Sequence, residues 1–97
     1  MWNWLNASNE KAFGEELAKY YMERVAVDQA VATRKAREKY VDVVAKLTER
    51  ITRYRASARL NIYKKAQLWN TFKWRLRDAG YDEREIEALV RDLVIYL

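Results

Sequence analysis

Cysteine, histidine and proline are absent from this chain, and glycine occurs only at Gly14 and Gly80. Without cysteine there is no disulfide and no thiolate nucleophile. Without histidine there is no imidazole base, and the usual zinc ligands go with the pair. No apolar run is long enough to cross a bilayer. The opening Met1-Trp2-Asn3-Trp4-Leu5 is apolar but short, lacks a basic region and leads into acidic residues. It reads neither as a signal peptide nor as an anchor for anionic lipid. The expectation is a cytoplasmic protein with no membrane partner.

What the chain does hold is sorted charge. Residues 33–77 carry 14 Lys/Arg against 3 Asp/Glu, while both flanking segments are net acidic. The whole chain is +5, so the basic centre is diluted by its ends. Either the acidic ends fold back onto the centre, or the centre faces an anionic partner. The 51% hydrophobic content argues for a folded chain, and 97 residues suit one domain spanning 1–97 with a modest core. Helix formers dominate, so the fold class is all-α, with about four helices.

The first helix is expected from Ser8 or Asn9, either of which can cap it, to about Val25. Its apolar stripe is Phe13, Leu17, Tyr20, Tyr21 and Val25. A break near Val25–Asp28 precedes a second helix from about Gln29, capped by Asp28. Tyr40, Val44, Leu47, Ile51, Tyr54 and Ala58 then form a heptad-like seam. Ile62, Ala66, Trp69, Phe72 and Leu76 resume it after a skip. An unbroken helix from Gln29 to Ala79 would be about 75 Å long, so a bend between Ser57 and Asn61 is expected, with Asn61 capping a third helix. Gly80 suits the left-handed position that ends that helix, with Tyr81 packing back on Leu76. Asp82 and Glu85 form a capping-box pattern, and Tyr81 and Ile86 a hydrophobic staple. Ile86, Leu89, Val90, Leu93, Val94 and Leu97 make the fourth helix amphipathic. The architecture is a long antiparallel helical hairpin with a short C-terminal helix packed after the Gly80 corner.

Two surfaces could carry function. On the second helix Lys35, Lys39, Lys46, Arg50 and Arg53 share one flank of the seam, and Arg34, Arg37, Arg55 and Arg59 the other. Such a ridge holds phosphates, unless Glu15, Glu16, Glu23 or the last helix's carboxylates pair with it. On the third helix Tyr63, Gln67, Asn70, Trp74 and Arg77 recur at helical spacing, with Lys64, Lys65, Lys73 and Arg75 alongside. Amides and arginine read base edges and aromatics stack on bases, but Trp and Tyr also favour protein interfaces. A helix-turn-helix at Gly80 is disfavoured, because its second helix carries Glu83, Glu85, Glu87 and Asp92. Glu83 and Glu87 share a face, yet no nucleophile or phosphate loop accompanies them, so no enzyme, cofactor, metal site or small-molecule substrate is expected.

The sequence therefore points to a small non-enzymatic helical binding module whose basic surface engages an anionic partner, nucleic acid first and an acidic protein surface second. Lys39, Lys46, Arg50, Arg53, Lys64, Lys65, Lys73 and Arg75 would meet phosphates. Tyr63, Gln67, Asn70, Trp74 and Arg77 would stack or read edges. The alternative is a protein–protein interaction or scaffold module, homodimeric in one form, whose own acidic helices neutralise its basic flanks.

Overall fold

The computed structural model describes residues 6–27 and 33–97, and these form four helices without a strand. They are α1 (Ser8–Arg24), α2 (Arg34–Ser57), α3 (Ile62–Asp78) and α4 (Glu83–Val94). Trp2, Trp4, Leu5 and the Asp28 cap lie outside the described residues, as does the Gln29 start. Within them α2 starts at Arg34, where Thr33 Oγ1 accepts from the Ala36 amide at 3.0 Å. The first cap also differs from expectation. Neither Ser8 nor Asn9 caps α1; Asn6 Oδ1 instead accepts from the Ser8 amide at 3.0 Å and from its hydroxyl at 2.7 Å.

The break between α2 and α3 falls where expected. Ala58 is extended, and Asn61 Oδ1 accepts from the Lys64 amide at 2.8 Å, starting a new helix. The longest dimension is consequently 49 Å, and the chain closes its own core. That break also resets the helical phase. Continuing the α2 seam placed Ile62 and Ala66 inside, but both are exposed, and Leu68 is fully buried in their place. A new helix starts with its own phase, so α3 turns Leu68, Trp69, Phe72 and Leu76 inward. On α2 the buried stripe is Val43, Leu47 and Ile51, with Tyr40, Val44 and Tyr54 at its edges.

The Gly80 corner forms as the pattern dictates. Gly80 has φ +98°, its amide bonds Arg77 O at 3.0 Å, and the Tyr81 amide bonds Leu76 O at 3.1 Å. These two bonds are the Schellman pairing that consumes the last carbonyls of α3. Tyr81 and Ile86 both enter the core. The capping box does not form. Asp82 makes no side-chain cap bond, and Glu85 turns inward to accept from the Tyr21 hydroxyl. A partly buried carboxylate gains more from a buried phenol than from an exposed amide.

α1 packs closest on α3, and Gly14 is the reason. A Cβ added there would lie 2.5 Å from Leu68 O and 3.2 Å from Thr71 Cβ. The missing side chain lets the two backbones approach. The other close pairs are α1–α2, α2–α4 and α3–α4, so α2 and α3 stand diagonally across the bundle. Leu17, Leu47, Ile51, Leu68, Phe72, Leu76, Ile86, Leu89 and Leu93 fill the centre with no exposure. Each buried side chain of this size contributes about 1.5–3 kcal/mol before entropy is charged.

Candidate functional site

α1 and α2 run antiparallel. At one end Phe13 stacks on Tyr54, with ring centroids 4.1 Å apart and planes at 7°. Beside that pair the buried Glu10 accepts from the Tyr54 hydroxyl at 2.7 Å. At the other end Tyr21 meets Tyr40 edge-on at 6.3 Å. Between these contacts one side of the helix pair is an open groove. Asn9, Phe13, Glu16, Tyr20 and Arg24 line it from α1. Lys35, Lys39, Lys46, Arg50 and Arg53 line it from α2, with Glu38 and Asp42 among the lysines. Four of those five α2 cations are exposed and Arg50 is half-buried. From Lys35 to Arg53 the row extends about 27 Å along the helix.

Arg50 joins the two halves of the groove. It lies beside Phe13 and Tyr54, and its guanidinium carbon also sits 4.3 Å from the Tyr20 ring centroid. Arg24 approaches the same ring at 3.7 Å. One phenol thus holds two guanidiniums from different helices by cation–π attraction, which orders both without neutralising either.

Little of the row's charge is consumed inside the chain. On α2, Arg34 pairs with Glu38 at 3.5 Å and Arg53 with Glu49 at 4.0 Å. Both pairs are exposed and one turn apart, a class worth less than about 1 kcal/mol and readily exchanged for a phosphate. Glu23 pairs with its neighbour Arg24. Among the described residues no ion pair joins Glu15, Glu16 or Glu23 to α2, or the α4 carboxylates to α2. The pair between elements is Arg77–Glu83, with Nε–Oε1 at 2.8 Å and Nη2–Oε2 at 2.7 Å. Each partner's hydrogen bond moves the other: Arg77 above the ordinary guanidinium value and Glu83 below the usual carboxylate range.

The thirteen residues singled out by sequence therefore divide. Lys39, Lys46, Arg50 and Arg53 line the α1–α2 groove. Tyr63, Gln67, Asn70, Trp74 and Arg77 lie on the side of α3 turned away from its buried face. α1 lies between that side and the α2 row, so the two surfaces are separate. Trp74 is 63% exposed, with Arg77 5.5 Å from its ring. Arg77 spends two donors on Glu83 and braces the Gly80 corner. Lys64 lies with Arg59 at the α2–α3 turn, Lys65 and Lys73 are half-buried, and Arg75 is exposed.

Tyr20, Arg24, Phe13 and Tyr54 are groove residues that sequence reading placed elsewhere or passed over. Tyr20 and Arg24 are one turn apart, a visible signal; the Phe13–Tyr54 stack depends on the register between helices and leaves no local trace. Chemically the groove offers positive charge, aromatic faces and a few amide and carboxylate acceptors. Among the described residues no three His, Cys, Asp or Glu converge to hold a metal ion, and no helix is long and apolar enough to cross a membrane. Comparison of the chain with protein-family models, with curated proteins and with solved structures finds no match in any of the three.

Proposed function

We propose that this chain is a small non-enzymatic binding module that engages nucleic acid through the cationic row on α2. The observation that carries this reading is that Lys35, Lys39, Lys46 and Arg50 stand along one groove and, among the described residues, none of them is ion-paired, the groove's cations outnumbering Glu38 and Asp42 beside them. Arg53 adds a fifth cation whose tie to Glu49 is long and exposed. A polyanion with evenly spaced charge gains from the whole row at once and releases counterions as it binds. Titration of labelled oligonucleotides over a range of salt concentrations tests the proposal. Five phosphate contacts predict a log–log salt slope of about −3.5 for a single strand, and Lys39→Ala/Lys46→Ala should flatten it by about 1.4. A chain that binds no oligonucleotide at low salt does not have this function.

The outward side of α3 favours a second surface, for protein. Tyr63 is 41% and Trp74 63% exposed, and large aromatic side chains in such positions are enriched where another chain docks. If this surface self-associates, light scattering will show an oligomer that survives high salt. Trp74→Glu should then return it to monomer with the thermal midpoint nearly unchanged, because that side chain contributes little to the core. A monomer at all concentrations removes the self-association.

A further inference from the structure

We propose that the α1–α2 groove is specific for unpaired nucleotides: it holds a single strand with its phosphates on the α2 rim and its bases turned toward α1. This rests on the nucleic-acid reading above and goes beyond it by naming the form of the ligand and the direction in which it lies.

Three features of the groove carry the inference. Its two rims differ. Near Phe13 the α2 rim presents Arg50 and Arg53, whereas the α1 rim presents Asn9 and Glu16; farther along, Glu38 and Asp42 stand among Lys35, Lys39 and Lys46. A phosphate chain is drawn to Arg50 and Arg53 and repelled by Glu16. Base amino groups and ring N–H groups are suited to Glu16 and to the Asn9 amide, which accept and donate at base edges.

The groove also contains two π-surfaces. One is the Phe13–Tyr54 stack, and the other is Tyr20 with the Arg24 and Arg50 guanidiniums against it. Phe13 and Tyr20 are seven residues apart on α1, about 10 Å along the axis. Bases stack on aromatic rings and on arginine planes alike. Such platforms are useless to a paired base, whose faces are covered by its neighbours in the duplex.

Finally, two of the groove's cations are held in place before any ligand arrives. The Tyr20 ring positions Arg24 and Arg50 from two different helices, so fewer side-chain rotamers are lost on binding. An acidic peptide would also meet the α2 row. Its acidic side chains offer no aromatic face to Phe13, Tyr54 or Tyr20, and those that reach the α1 rim meet Glu16.

Fluorescence anisotropy at one low salt concentration decides the matter. The ligands are a single strand of about twelve nucleotides, the same strand with abasic sites in place of every base, the matching duplex, and an oligoglutamate of equal charge. The intact single strand should bind at least tenfold tighter than each of the other three. Tyr20→Leu, confirmed folded by circular dichroism, should shrink the gap between intact and abasic strands. If the abasic strand or the duplex binds as tightly as the intact strand, the base-binding inference is overturned while the charge-based function stands. Oligoglutamate binding as tight as the strand overturns the inference as well. If no oligonucleotide binds, the proposed function itself is lost and this inference with it. The abasic comparison uses the unaltered protein, so it decides the question even if Tyr20→Leu does not fold.

Discussion

Gly14→Ala is expected to lower the melting temperature by about 8–16 °C. Two effects oppose each other at this position. In an exposed helix, alanine is about 1 kcal/mol better than glycine. Here the new methyl would stand 2.5 Å from Leu68 O, and that neighbour is backbone. A flexible side chain could rotate away; a carbonyl held in the α3 hydrogen-bond ladder cannot. Relief requires α1 and α3 to separate, which loosens Leu17, Ala18, Leu68 and Phe72 together. Overpacking of this kind costs about 3 kcal/mol at the upper end of its usual range, leaving a net loss of about 2. For a domain of this length each kcal/mol moves the midpoint by about 4–8 °C. Circular dichroism melts of wild type, Gly14→Ala and the exposed-site control Ala56→Gly would measure it. The control should lose about 1 kcal/mol by propensity alone. An increase in the melting temperature of Gly14→Ala would mean that α1 and α3 are not this close.

The second large effect is alkaline. Tyr21 is fully buried, and burial, then its hydrogen bond to the Glu85 carboxylate, hold its phenol far above the ordinary value of 10.0. Tyr81, Tyr40 and Tyr54 are raised as well, in each case first by burial. A phenol whose folded value is raised binds its proton more tightly in the native state. Its contribution is fully present below pH 10 and is lost as the pH climbs above 10, where the unfolded chain ionises and the folded one does not. A single tyrosine of this kind costs about 1.4 kcal/mol by pH 11. With Tyr81 and Tyr54 acting in the same direction, the loss between pH 8 and pH 11 is expected to exceed that figure. Tyr21→Phe should be less stable than wild type at pH 8, because Glu85 loses its donor. Its further loss on going to pH 11 should be smaller by about 1.4 kcal/mol. Equal alkaline losses in the two proteins would show that Tyr21 does not remain protonated in the folded state.

How much of this was legible in the sequence follows from how far each rule reaches. Asn61 as a cap, Gly80 at a left-handed corner and the Ile86–Leu89–Leu93 stripe are set by residues within a few positions of one another. A cap or a Schellman pairing is closed by its own turn, so the string of letters contains all its partners. The charge row Lys35, Lys39, Lys46, Arg50 and Arg53 was equally plain, because one helix of known period orders it.

Four matters were decided only when the helices packed. α3 took its phase from the bundle, which sent Ile62 outward and Leu68 inward. Glu10, Gly14, Leu17 and Tyr21 share the buried side of α1, yet nothing local says that Glu10 will find Tyr54 or that Gly14 will meet a carbonyl. Glu85 left its expected cap for a phenol 64 positions away. And the α2 cations and the α3 aromatic stripe, neighbours in sequence, were put on separate surfaces with α1 between them. Local hydrogen bonding and helical period are properties of a segment. The register and order of helices around a core depend on every interface at once, and no segment carries that information alone.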